Sequence, residues 1–309
     1  MGQRLIHNRP LIFGILATVI LTILASFLPE HRSELITRML IMALFATSIN
    51  MQVGRAGMMP LGQAQFFGLG AYAFGLLCVK GGISLPFAFT LALLISIVVI
   101  GIIGYLCLRG DSLTFALLHL AFNILLVTVA AKWISLTEGD QGFTGVPRPN
   151  LLPGNFGFYL FVLVVVLISF ILIWMIINSP FGKAMQGLRE NEERLRFLGI
   201  DSKRFQLAIF IFSSFFAGVA GILWAMMQRS VFITYMSLIL SAEGLMMCLI
   251  GGMLSFFGPS IGAAIVVIVS TVASTYLHQW QGLLGLIIIV CVLGFRGGIL
   301  GGKKYTMGL

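Results

Sequence analysis

The sequence predicts an all-α fold: a polytopic transmembrane helix bundle of roughly eight to ten spans, some of them broken or re-entrant. Three observations predict it. The 309 residues are 59% hydrophobic and only 9% charged, against about 25% charged in a soluble domain. Apolar runs of about 20 residues, enough for a helix to cross a bilayer, recur along the chain. Ten of the 29 Asp, Glu, Lys and Arg residues are gathered between Ser179 and Arg204, which leaves the flanking sequence to the membrane. The length suits one bundle, so residues 1–309 are read as a single transmembrane domain with a polar loop at 179–204.

About ten candidate spans lie near 11–28, 35–54, 61–79, 85–108, 112–136, 156–177, 207–228, 236–256, 258–278 and 282–300. The first follows a short basic leader but lacks a small-x-small cleavage site, so it is read as an uncleaved helix. The segments near 61–79 and 236–256 are rich in glycine, which predicts breaks or re-entrance. With ten alternating spans, 13 of the 19 basic residues fall on the side of the N-terminus. They are Arg4, Arg9, Arg55, Arg109, the six in the 179–204 loop, Arg296, Lys303 and Lys304. Basic residues favour the cytoplasm, so both termini and the polar loop are expected there. Arg32, Arg38, Lys80, Lys132, Arg148 and Arg229 fall on or toward the outside. A net charge of +9 then reports orientation, not nucleic-acid binding. Cys78, Cys107, Cys248 and Cys291 sit singly in apolar runs and read as small buried hydrophobes.

Three connecting regions carry chemistry. From Asn50 to Tyr72, five glycines and Pro60 crowd with Asn50, Gln52, Gln63 and Gln65 at membrane depth. Amides in hydrocarbon need partners, and Gly and Pro let the backbone leave the helix. Two readings stand: small residues for close helix packing, or a broken helix lining a polar path, with Gly54, Gly57, Gly68 and Gly70 as hinges. The stretch Thr137–Pro149 is rich in turn residues and reads as a solvated outer connector. Between Ser179 and Gly199, Phe181, Met185, Leu188, Leu195 and Leu198 recur at helical spacing. Ser179 suits the N-cap, Pro180 the first turn and Gly199 the stop. This predicts one amphipathic helix, lying on lipid or docked against a partner protein. The mixed charges, with Glu190, Glu192 and Glu193 repelling anionic lipid, favour a partner.

Inside the spans, Glu243 is an isolated acid. A charge at mid-membrane costs roughly 3 kcal/mol or more, so Glu243 must face protein or water, as a path or gate residue or as a packing hydrogen bond. His119 and Asn123, four apart on one helix, carry the same two readings. There is no P-loop, no H-E-x-x-H, no G-x-S-x-G and no paired carboxylate in the spans. No catalytic set, cofactor site or metal site is therefore expected in this chain. With intramembrane acids so scarce, a transport protein would draw energy from a partner through the 179–204 loop. An ion-coupled secondary transporter acting without ATPase subunits is the alternative.

The run Ser179-Pro180-Phe181-Gly182-Lys183-Ala184-Met185-Gln186-Gly187-Leu188-Arg189-Glu190-Asn191-Glu192-Glu193-Arg194, followed by Leu198-Gly199-Ile200-Asp201, resembles the cytoplasmic loop of branched-chain amino acid ABC permeases of the LivM type. Gly54–Tyr72, Leu113–Phe122, Thr137–Pro149 and the Gly251-Gly252-Met253 and Phe257-Gly258-Pro259 stretches resemble the same family, covering roughly residues 40 to 295. The chain departs from it at Gly57-Met58-Met59-Pro60-Leu61, where a Gly-Gln-Leu-Ser-like stretch is usual. The resemblance implies a permease of the bacterial inner membrane that pairs with a LivH-like permease. It further implies two cytoplasmic ATPase subunits holding ATP and Mg, and a periplasmic substrate-binding protein. It assigns ATPase coupling to Phe181, Arg189, Glu190, Asn191, Glu192, Leu198 and Gly199. Related permeases carry branched-chain or other amino acids, urea and short amides.

Overall fold

The computed structural model describes residues 30–149, 155–276, 282 and 298–300. The predicted span near 11–28 lies outside the described residues, as does nearly all of the one near 282–300. The remaining eight are present as helices. The first, α1 (Glu30–Asn50), passes without a cap into a π-helical turn, Met51–Ala56, which ends at Gly57 in the left-handed region (φ 72°). Only a residue without Cβ takes that conformation freely. The chain then runs irregularly past Pro60 to α2 (Ala64–Val79). Next come α3 (Leu85–Cys107), with Pro86 in its first turn, and α4 (Ser112–Lys132). A single turn at Ile134–Thr137 leads through the outer loop to α5 (Asn155–Asn178).

The charged loop forms two helices, not the one predicted: α6 (Pro180–Glu190) and α7 (Glu192–Phe197). Asn191 separates them in an extended conformation (φ −162°, ψ 108°), and its side chain accepts the amide of Arg194 at 3.0 Å. An asparagine that caps the next helix competes with continuation of the previous one. Ser179 holds the N-cap position, but its hydroxyl donates back to the Ile176 carbonyl at 2.6 Å. Gly199 ends the segment with φ 81°, as expected. The remaining helices are α8 (Ser202–Gln228), α9 (Leu238–Gly251) and α10 (Gly258–Tyr276). The glycine-rich α2 and α9 have only 16 and 14 residues, short of the ~20 that cross a bilayer.

The core is built around α1 and α8. About three quarters of their apolar stretch is buried (78% and 72%), against 33%, 28% and 33% for α3, α4 and α5. The latter three turn large side chains such as Phe87, Leu113 and Ile168 outward, toward lipid. The tightest crossing is that of α2 on α8, where a Cβ on Gly70 would strike the Gly218 backbone and one on Gly221 the carbonyl of Phe67. A similar approach joins α9 to α10 at Gly251, Gly258 and Gly262. Without a hydrophobic drive between helices in lipid, close packing at small residues is what holds them.

The Thr137–Pro149 connector is packed, contrary to the solvated loop expected from its glycines and prolines. Phe143 and Val146 are buried. Phe143–Thr144 forms β1, antiparallel to β2 (Ser230–Val231), with Phe143 opposite Val231. The Arg148 guanidinium donates to the carbonyl of Met226 at 2.8 Å and to that of Met227. The last carbonyls of a helix have no intrahelical donor, and a basic side chain satisfies them. The ribbon therefore closes the end of α8 opposite the charged helices. The Gly221→Val variant is expected to overpack the α2–α8 crossing by about 1–3 kcal/mol. Thermal unfolding of the purified protein in detergent checks this; an unshifted midpoint would contradict the crossing.

Candidate functional site

The bundle has a polar centre where α1 breaks. Gln52, on the π turn, donates through Nε2 to Gln63 Oε1 at 3.1 Å and to Ser213 Oγ at 2.8 Å. Gln63 Nε2 also donates to Ser213 Oγ, at 3.1 Å, and that hydroxyl donates to the Ser48 carbonyl at 2.6 Å. Ser213 thus fills both acceptor positions and its one donor. All three side chains are fully buried. Next to them Ser241 Oγ accepts the amide of Ala64 at 2.9 Å, capping the start of α2 from α9. Asn50 donates to the Ser255 carbonyl at 3.3 Å. Gly54 is closed in by Asn50 and the carbonyl of Met253, Gly57 by Arg189, and Gly68 by Met236. The segment is both broken and tightly packed, so the two readings of the sequence coexist.

A second cluster braces the irregular stretch from the side. His119 on α4 is fully buried between the rings of Phe66 and Phe115, each 5.7 Å from it and nearly parallel. Its Nδ1 accepts the amide of Gly62 at 3.2 Å, and its carbonyl accepts Gln65 Nε2 at 3.5 Å. One turn on, Asn123 donates to the Met236 carbonyl at 2.9 Å. His119 and Asn123 thus join α4 to the break and to the turn before α9. Among the described residues no three His, Cys, Asp or Glu side chains gather as a metal cage requires.

Glu243 stands apart from both clusters. It is half-buried on α9 and interacts electrostatically with Arg38 on α1. The sequence reading used Arg38 only as a mark of the outer side. It lies instead within α1, its guanidinium 5.4 Å from the centre of the Trp224 ring.

The charged helices lie against the break. Arg189 on α6 donates through Nη1 to the Gly54 carbonyl at 2.5 Å. The apolar stripe holds for Met185, Leu188 and Leu195, which are buried. Phe181 is engaged within the chain, its ring 4.5 Å from that of Phe205 and 5.8 Å from that of Phe212. Leu198 leaves the stripe because α7 ends before it; Leu198 and its neighbour Phe197 are 77% and 90% exposed. Glu190, Asn191 and Glu192 are exposed, and Glu192 pairs with Arg196 at 2.8 Å. Asp201 caps α8 by accepting the amides of Lys203 and Arg204. Between these helices and the α3–α4 turn opens a cleft of about 420 Å³, lined by Gly57, Phe115, Arg189, Glu192, Arg196 and Lys203 among others.

Sequence reasoning found the amides but not their partners. Ser213 and Ser241 are ordinary residues in apolar runs, and only the fold brings them to the break. Phe197 gave a signal that was passed over: an aromatic residue off the apolar stripe, beside the helix stop. Arg38 gave one too, as a cation inside an apolar run.

These features define a multi-pass helical membrane protein with a polar break at its centre and a charged two-helix segment at one end. The chain belongs to the permease family described as "Branched-chain amino acid transport system / permease component", which matches residues 32–293. It is 26% identical to the high-affinity branched-chain amino acid transport system permease protein LivM of Salmonella typhimurium, over 93% of this chain and 74% of that protein. It is 28% identical to LivM of Escherichia coli, over 84% and 68%. With the corresponding protein BraD of Pseudomonas aeruginosa the identity is 26%, over 84% and 91%. No solved structure matches the chain.

Substituting Ser213→Ala removes the hydroxyl that the amides of Gln52 and Gln63 share. Leaving a buried donor unpaired costs about 1–3 kcal/mol. The variant is expected to unfold at lower temperature than the wild type. The Ser213→Thr variant, which keeps the hydroxyl, should recover part of the loss; equal midpoints for Ser213→Ala and wild type would refute the role of the network.

Proposed function

We propose that this chain is the permease subunit of an ATP-driven importer for branched-chain or related amino acids. It would act as one transmembrane domain in the inner membrane, with both termini and the 179–204 segment in the cytoplasm. A LivH-like permease, two cytoplasmic ATPase subunits and a periplasmic binding protein complete the complex; ATP and Mg are held by the ATPases. Family membership supports the transport role. The observation that carries the coupling role is the exposed pair Phe197-Leu198 at the tip of a charged segment bonded to the break through Arg189 and Gly54. Large apolar groups exposed in a polar surface mark contact sites, and buried anchors of this kind dominate such contacts. Glu190, Asn191, Glu192 and Gly199 shape the surface around that pair, while Phe181 fixes the segment to α8.

In this reading, closure of the ATPases displaces α6 and α7, and Arg189 transmits the displacement to the π turn. The residues at the break, Asn50, Gln52, Gln63 and Gln65 with His119, Asn123 and Glu243, then border a path of weak contacts, and Gly54, Gly57, Gly68 and Gly70 permit the backbone to shift. The complex reconstituted in liposomes with its ATPases and binding protein is expected to take up amino acid only with ATP. The Leu198→Asp variant should lower uptake per ATP hydrolysed at least tenfold while the subunits still copurify. Uptake driven by an ion gradient without ATPases, or full coupling in that variant, would overturn the proposal.

A further inference from the structure

Two opposite charges lie inside the apolar bundle without touching. Arg38 is on α1, about 12 Å along the helix from Glu30 at 1.5 Å per residue. Glu243 is on α9. The two helices pack directly: Gly244 rests on Phe45 and Ile49, and Cys248 Sγ donates to the Ala46 carbonyl at 3.1 Å. Arg38 and Glu243 interact electrostatically, and Glu34, one turn earlier on α1, adds a second negative charge on the Arg38 side. Yet neither Arg38 nor Glu243 enters an ion pair within 4.0 Å among the described residues. The Arg38 guanidinium instead covers Trp224, and its Nε is buried without a hydrogen-bond partner. Both side chains are half-buried, so each keeps one open side on the surface of this chain.

A charge facing hydrocarbon costs roughly 3 kcal/mol or more, so those open sides meet water or protein and not lipid tails. A purely structural pair gains most by closing to contact, because Coulomb attraction falls with distance and grows as water is excluded. A pair held open leaves a guanidinium fork and a carboxylate for the two ends of a ligand. A zwitterionic α-amino acid has the matching ends: a carboxylate for the fork and an ammonium for the acid. Trp224, with Phe67 6.2 Å and Tyr235 6.4 Å away between ring centres, offers an apolar wall for an aliphatic side chain.

We propose that Arg38 and Glu243 form a way-station for the amino-acid zwitterion on its path, Arg38 taking the carboxylate and Glu243 the ammonium, with the side chain against Trp224. The inference rests on the importer reading above.

The test uses the reconstituted complex with labelled leucine, isoleucine and valine. Arg38→Gln and Glu243→Gln are each expected to lower uptake at least tenfold, while Arg38→Lys and Glu243→Asp recover most of it and every variant copurifies with the second permease. Uptake within twofold of wild type in the neutral variants overturns the way-station. So does loss of the second permease in both neutral variants, which would make the pair a subunit contact. Where Arg38→Gln alone fails to assemble, Glu243→Gln and Glu243→Asp decide by the same criteria. A wild-type complex that takes up none of the three amino acids removes the importer reading and the way-station together; wild-type uptake with unaffected variants removes only the way-station.

Discussion

A backbone that leaves its helix inside an apolar bundle must find hydrogen bonds there, and the structure depends on how this is met between Gln52 and Gln63. Lipid offers no partners, and each unsatisfied backbone group costs several kcal/mol. The π turn keeps the carbonyls of α1 occupied as far as Ala56. Beyond it the partners come from elsewhere: Ser213 on α8 for the two glutamines, Ser241 on α9 for the start of α2, His119 on α4 for Gly62. Three helices are therefore positioned by one break. Moving any of them changes the hydrogen bonds of the others.

Such partners must come close, and glycine makes this possible. Ser213 reaches the break because α8 lies against α2, and α8 lies there because Gly70, Gly218 and Gly221 let the two backbones touch. The same device brings α9 and α10 together at Gly251, Gly258 and Gly262. The glycine-rich helices are also the short ones. Shortness leaves helix ends within the membrane layer, and the ends again need polar partners. Glycine content, helix length and buried side-chain polarity are thus consequences of one arrangement.

Much of this was legible in the sequence, and what was missed has a common cause. Apolar runs located eight helices to within a few residues, because length and composition are local properties. The cluster of Asn50, Gln52, Gln63 and Gln65 announced the break, since amides have no other reason to be at that depth. Ser213, by contrast, is fully determined by a contact with residues 150 or more positions away. Nothing local distinguishes it from Ser214 beside it. The outer loop was misread for a related reason: its glycines and prolines report turns, but Phe143 and Val146 are buried by a bundle the local sequence does not reveal. Asn191 was overlooked because the apolar spacing of the charged segment survives a one-residue break almost unchanged, up to Leu198.

The polar centre is not saturated, and this bears on its capacity to move. Asn50 Oδ1, Gln52 Oε1 and Gln65 Oε1 are buried and accept no hydrogen bond. A network in which every group is paired resists rearrangement, since any shift must break a bond before making one. Spare acceptors lower that barrier, because a donor transfers to a waiting oxygen as the backbone moves. The donor at the edge of the network is Arg189, whose guanidinium holds the Gly54 carbonyl from the charged segment. A displacement of α6 therefore acts first on the part of α1 where the helix is already π-wound and the acceptors are in surplus. The lipid-facing helices α3, α4 and α5 have no such slack, and they serve as the frame against which the break changes shape.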